Sequence, residues 1–214
     1  MPVKAVCMMA RSSAVRQESP TNGRYHDRAS DRWVVKVLPG SQHVSADPNG
    51  QELISTVLGS CVAACVHDPL LGIGGMNHFM LPHDDEGLWS GASLALRYGN
   101  HAMDALINGL LAAGADKRRL ECKIFGGGNV VNGMSGVGDD NAQFAREYAR
   151  AEGLNVVAFD LGGDRGRRIV FDPYTGQAWR RFLSRKLVDD VARAERKLRQ
   201  PPPLRARDSS IELF

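Results

Sequence analysis

Three features of the sequence predict an α/β domain in which sheet dominates. Short runs rich in apolar and β-branched residues, each closed by Gly, Pro or Asp-Pro, recur between Trp33 and Phe182. Within that span only two stretches, 95–113 and about 139–153, read as core helices. No regular strand–helix–strand repeat links the runs, which disfavours a doubly wound sheet.

The elements follow in order. Residues 33–38 form a strand stopped by Pro39-Gly40, and 43–45 a short one before the turn Asp47-Pro48-Asn49-Gly50. Residues 53–58 are strand-like and end at Gly59; 62–66 follow and close at Asp68-Pro69. Leu71-Gly72-Ile73-Gly74-Gly75 leads into a further strand that reaches Met80 before Pro82. The helix over 95–113 carries Met103, Leu106, Ile107, Leu110 and Leu111 on one apolar stripe, with Gly114 as its left-handed stop. Residues 120–125 alternate as a strand and run into Gly126-Gly127-Gly128-Asn129. The second helix starts at Asp139 or Asp140 as N-cap and ends near Gly153. Residues 154–159, 168–171 and 177–182 are the last strands, the final pair joined through Pro173-Tyr174-Thr175-Gly176.

This gives a domain over 32–183, preceded by a disordered extension over 1–31 that is polar and aperiodic. A basic helix over 184–200, with Leu187, Val191, Ala194 and Leu198 on one stripe, and a disordered tail over 201–214 follow. Within that tail Ile211 and Leu213 alternate as an added edge strand would, with Phe214 as an anchor. The 214 residues suffice for one buried core, and 43% hydrophobic and 24% charged residues are globular values. No apolar run is long enough to cross a bilayer, and the stretch 5–10 is too short for a signal-peptide core. Membrane insertion and export are therefore not expected. Cys7, Cys61, Cys65 and Cys122 show no disulfide pattern, which fits a reducing cytoplasm. Ten Lys/Arg between Arg180 and Arg207 face three acidic residues, so the basic excess belongs to the C-terminal segment. With no aromatic residue interleaved after Phe182, that segment reads as a solvated helix and not as a nucleic-acid surface.

The chemistry centres on Cys61, in Leu58-Gly59-Ser60-Cys61-Val62. Most free cysteines are small buried apolar residues. Here Gly59 permits a tight turn that can aim backbone N–H groups at a developing oxyanion. His78 is a hairpin away and alternates with Met76 and Met80, while Asn77 and Phe79 face the other side. A thiol and an imidazole so related are the parts of a cysteine hydrolase. A zinc site using Cys61, Cys65, His67, His78 and His83 is the competing use. Four residues of strand span roughly 13 Å, too far for two thiolates each about 2.3 Å from one ion. The triple glycine lacks the residues of a P-loop and reads as a turn packed against the strands that carry the thiol.

Beyond single residues, several motifs resemble the CheD chemoreceptor glutamine deamidases. They are Leu58-Gly59-Ser60-Cys61-Val62, the run Gly74-Gly75-Met76-Asn77-His78-Phe79-Met80-Leu81-Pro82, Arg97-Tyr98-Gly99-Asn100-His101-Ala102-Met103, Phe125-Gly126-Gly127 and Asp160-Leu161-Gly162-Gly163. The stretch 167–173 with Thr175-Gly176 completes the set, in family order across residues 33–182. The resemblance implies a three-layer α/β/β sandwich with mixed sheets, related to bacterial toxin deamidases. It implies cofactor-free hydrolysis of glutamine side chains on methyl-accepting chemotaxis receptors, with the receptors' cytoplasmic helical domain as partner and a CheC-type phosphatase as a possible second one. The family's cysteine falls on Cys61 and its histidine on His78. Its third residue, a threonine six positions before the cysteine, falls on Ser55 by a gapless count. Thr56 serves instead after a one-residue shift, and only one of the two can face His78.

Overall fold

The computed structural model describes residues 23–81, 91–130 and 136–184, together with Leu187, Asp190, Arg193 and Glu195. Among these residues ten strands form two five-stranded sheets. The first runs in the order β1 (Arg24–Asp27), β2 (Arg32–Lys36), β4 (Glu52–Leu58), β9 (Arg167–Phe171) and β10 (Ala178–Phe182). It is antiparallel apart from the parallel β2–β4 pair. The second runs β3 (Gln42–Ser45), β6 (Ile73–Asn77), β5 (Val62–Asp68), β7 (Glu121–Gly126) and β8 (Asn155–Leu161), with only β7–β8 parallel. Both sheets are therefore mixed.

Strand periodicity divides the apolar residues of β5 between two cores. Val62, Ala64 and Val66 pack with Met103, Leu106 and Leu110 of helix α1 (Gly91–Ala112) and with Phe144, Ala145 and Tyr148 of α2 (Val137–Ala151). Ala63 and Cys65 face the first sheet, where Ile54, Leu58, Ile169 and Phe171 meet them. The layers thus run helices, second sheet, first sheet. Strand β5 is buried on both faces, which is why it reads as a nearly unbroken apolar run.

Several expectations change. Residues 24–27, read as part of a disordered extension, form β1, paired antiparallel with β2. Strand β1 is held by side chains that carry no alternation signal: Arg24 lies 4.7 Å over the Trp33 ring and Lys36 5.1 Å over Tyr25. Helix α2 begins at Gly136, with φ 94° and no side-chain cap, and Asp139 and Asp140 lie inside its first turn. Leu111 of the α1 stripe is exposed. His67, named among the zinc candidates, is buried in β5 with its Nδ1 2.9 Å from the carbonyl of Pro173. The readings of residues 1–22, of His83 and of the tail over 201–214 lie outside the described residues. Of the helix over 184–200, Leu187, Asp190, Arg193 and Glu195 are described, and they are helical.

The glycine loop is the tightest contact in the second sheet. Gly126 has φ 117°, and a Cβ there would fall 2.2 Å from the carbonyl oxygen of Cys61. Gly126→Ala is expected to destabilise the protein by about 2–3 kcal/mol, through strained backbone and a displaced Cys61 carbonyl. Urea denaturation measures this, and loss below about 0.5 kcal/mol would refute the close approach.

Candidate active site

Register brings Cys61 and His78 to one face. Val62 and Phe79 exchange both backbone hydrogen bonds at 2.9 Å, and Cys65 pairs with Met76. His78 therefore stands opposite Ala63, on the face between the sheets, diagonal to Cys61. Phe79 joins the helix-side core and Met76 the inter-sheet core, so the expected alternation is observed. Cys61 is fully buried and His78 nearly so.

Of the two hydroxyl candidates, Thr56 reaches the imidazole. Its Oγ1 lies 2.7 Å from His78 Nδ1 and donates to the Val37 carbonyl at 2.8 Å. Thr56 follows Ile54 and precedes Leu58 on the inter-sheet face of β4; Ser55, one residue away, points to the opposite face. The gapless count onto Ser55 is corrected here. A carbonyl can only accept, so the hydroxyl proton goes to Val37 and His78 Nδ1–H donates to Oγ1. That tautomer leaves the lone pair on Nε2, which is buried and has no hydrogen-bond partner among the described residues.

The turn carrying the thiol is held by its carbonyls. Gly128 N–H donates to Gly59 O at 2.9 Å, Asn141 Nδ2 to Ser60 O at 2.9 Å and Gly127 N–H to Cys61 O at 2.8 Å. The triple glycine is thus the packed turn expected from the sequence. Asn141, fully buried on α2, also accepts from Leu81 N–H at 2.7 Å and so ties both sides of the site together. Asn77 accepts from Ala64 N–H at 2.8 Å and donates to Ala102 O at 2.9 Å, anchoring the strand end next to His78. The amide N–H groups of the turn point the other way, toward the Glu195 carboxylate: Gly59 at 3.0 Å, Ser60 at 3.0 Å and Cys61 at 3.4 Å.

Sequence reasoning missed Asn141, Asn77 and Glu195. A polar residue on the buried stripe of α2, between Val137 and Phe144, was the available signal for Asn141. Nothing local marks Glu195, one acid in a basic segment.

Burial dominates the electrostatics. It pushes the Cys61 thiol well above its usual range, and the charge of Glu195 and a hydrogen bond to it push the same way. Burial lowers His78 to about 4, against the opposing pull of Glu195 and the Val37 carbonyl. Near neutral pH the pair is thiol and imidazole. A cleft of about 240 Å³ reaches Thr56, His78 and Glu195, with the exposed side chains of Lys36 and Arg168 along it.

A protein of Rhodopseudomonas palustris named probable chemoreceptor glutamine deamidase CheD is 44% identical over 191 residues, 89% of each chain. The chain belongs to the CheD family. The family model described as CheD chemotactic sensory transduction matches residues 80–182, which begins just past His78. Proteins of the same name from Halorhodospira halophila and Caulobacter vibrioides are 47% and 43% identical, covering 80% and 89% of this chain and 80% and 98% of their own. A solved structure of a Neisseria meningitidis protein from another family, DUF152, is 11% identical with TM-score 0.37 over 57% of this chain and 53% of that one, too low to argue from. No helix among the described residues of this CheD-family chain is long and apolar enough to cross a membrane.

The lowered His78 value fixes a pH dependence. Between about pH 6.5 and 4 the unfolded chain holds a proton on His78 that the folded chain lacks, so stability falls as pH falls through that window. The His78 contribution is complete above the window and lost below it, on the order of 3 kcal/mol at most. Urea denaturation at pH 7 and pH 4.5 should show a smaller loss for His78→Asn than for the unsubstituted protein; equal losses would place the titration elsewhere.

Proposed function

We propose that this chain hydrolyses glutamine side chains to glutamate on methyl-accepting chemotaxis receptors, with Cys61 as nucleophile and His78 as base. The observation that carries the proposal is the imidazole itself. Its Nδ1 is tied to Thr56, and its bare Nε2 lies on the strand face it shares with Cys61. The relatives' name, chemoreceptor glutamine deamidase, supplies the substrate class.

The steps follow from the chemistry. His78 Nε2 takes the Cys61 proton, and the thiolate attacks the carboxamide carbon of a receptor glutamine. The N–H groups of Gly59, Ser60 and Cys61 stabilise the oxyanion, a contribution worth about 3–4 kcal/mol per donor in comparable sites. The imidazolium protonates the departing ammonia, and water activated by the same Nε2 hydrolyses the thioester. Thr56 acts through His78, as the group that holds its tautomer. The receptor's cytoplasmic helical domain is the macromolecular partner in this reading, and no cofactor enters it. A relation of the sandwich to bacterial toxin deamidases belongs to the same proposal.

Peptide mass spectrometry of a receptor cytoplasmic fragment tests it. Cys61→Ala should reduce glutamine conversion to background while the fold persists; conversion at the original rate would remove Cys61 as nucleophile. If the variant is inert on receptors yet sustains the chain's cellular effect, the protein acts chiefly as a regulatory partner, for example of a CheC-type phosphatase. Thr56→Val should lower kcat at least about tenfold, a part of the roughly 10²–10⁴ that a positioned base contributes, and Ser55→Ala should change it less than about twofold. The reverse order would return the orienting role to Ser55.

A further inference from the structure

The Glu195 carboxylate occupies the place where the proposed reaction needs its oxyanion. Four donors converge on it. Oε1 accepts from Gly59 N–H at 3.0 Å and Cys61 N–H at 3.4 Å, and Oε2 from Ser60 N–H at 3.0 Å and Ser60 Oγ at 2.7 Å. The seat is shaped for it: a Cβ on Gly59 would lie 2.9 Å from both carboxylate oxygens. Glu195 is 2% exposed, a degree of burial unusual for a glutamate unless it is specifically bound. It also lines the cleft together with His78.

A glutamate side chain is the product of glutamine hydrolysis. We propose that Glu195 is a built-in product analogue: the C-terminal helical segment places a carboxylate in the oxyanion seat beside Cys61 and so holds the enzyme self-inhibited until a receptor helix displaces it. The inference rests on the deamidase reading for the identity of the product, but occupancy of the seat can be tested without it. Leu183, whose N–H donates to Gly166 O at 2.8 Å at the end of β10, lies only twelve residues before Glu195. The carboxylate is thus part of the same chain as the seat, so its occupancy is an intramolecular event and does not depend on protein concentration. While bound, it covers the thiol, fills the oxyanion seat and adds a negative charge that opposes thiolate formation.

The geometry has a sharper corollary. Glutamine has the shape of glutamate, so Glu195→Gln presents a carboxamide to Cys61 within one chain: its oxygen can keep the Gly59 and Cys61 N–H bonds, while its NH2 gives up the Ser60 N–H bond and donates to Ser60 Oγ. Cys61 Sγ then bonds to Cδ of residue 195, and the C–N bond breaks. Ammonia leaves with the proton held by His78, and water cleaves the thioester to give glutamate and the free thiol. The sum is one amide and one water giving one carboxylic acid and one ammonia, with no oxidant or reductant. A glutamine encoded at position 195 should therefore be recovered as glutamate.

The test uses the full chain in four forms: unsubstituted, Glu195→Ala, Glu195→Gln, and Glu195→Gln combined with Cys61→Ala. Alkylation of Cys61 by iodoacetamide, read at that peptide, should be at least about tenfold faster in Glu195→Ala, and turnover of a receptor fragment should rise severalfold. Residue 195 should be about one dalton heavier than encoded in Glu195→Gln and unchanged in the double variant. Equal alkylation rates with and without Glu195 would overturn the proposal, whatever the activity on receptors. If the glutamine introduced by Glu195→Gln stays glutamine in a chain that converts receptor glutamines, the proposal is overturned as well. Faster alkylation in Glu195→Ala with no form active on receptors would uphold the inhibitory contact and defeat the receptor reading instead. Since Glu195→Gln preserves shape, the mass measurement stands even if Glu195→Ala folds poorly.

Discussion

Everything in this site depends on how the peptide groups of Gly59, Ser60 and Cys61 are turned. Each of the three carbonyls accepts a hydrogen bond from the body of the protein, two from the glycine loop and one from Asn141. A peptide plane whose oxygen is fixed has its N–H fixed in the opposite direction. The Gly59 oxygen shares its plane with Ser60 N–H, and the Ser60 oxygen with Cys61 N–H. Anchoring those two oxygens on the helix side therefore aims two of the three donors into the cleft, while the anchored Cys61 oxygen turns Val62 N–H onto Phe79 O. The glycine loop is itself held from behind: Gly162 N–H donates to Gly126 O at 2.9 Å, and Arg167, 1% exposed, bonds the carbonyls of Asp160 and Gly162. The aim of the donors is thus set by packing well outside the cleft, before any ligand arrives, which is what an electrostatic catalyst requires.

Burial then sets the charge state of Cys61 and His78. Removing water from a thiol and an imidazole disfavours both charged forms, so the resting site stores a neutral pair. The proposed reaction requires a thiolate–imidazolium pair to be made, and in it the donors of the turn and the incoming substrate decide when that pair is favourable. A polar amide in the seat would impose less cost on the thiolate than the carboxylate of Glu195 does.

The parts of the site that could be read from the sequence are those that obey strand periodicity. His78 between Met76 and Met80, and Cys61 just before a doubly buried strand, fall on one face because side chains alternate. Choosing between Ser55 and Thr56 failed for the same physical reason that β4 folds well. Leu53, Ile54, Val57 and Leu58 put apolar groups on both faces, so the run holds no clue to which face meets the second sheet. Strand β1 was invisible because Arg24, Tyr25, His26 and Asp27 pair through cation–π and backbone contacts with β2 and bury little apolar area. Glu195 was beyond local reasoning altogether, since its partners lie more than 130 residues earlier in the chain.

The bridge Val37–Thr56–His78 spans the gap between the two layers of strand. Val37 directly follows β2 and Thr56 lies in β4, both on the first sheet's side, whereas His78 and the thiol turn adjoin β6 and β5 of the second. The sandwich is in this sense a calliper whose opening sets the protonation pattern of one imidazole. Breathing of the sheets by a fraction of an ångström would lengthen the 2.7 Å contact and let the proton on the ring exchange between its nitrogens, while the hydrophobic layers on either side stayed intact. If the proposed mechanism holds, warming that loosens the layers costs catalytic competence ahead of the cooperative melting of the domain.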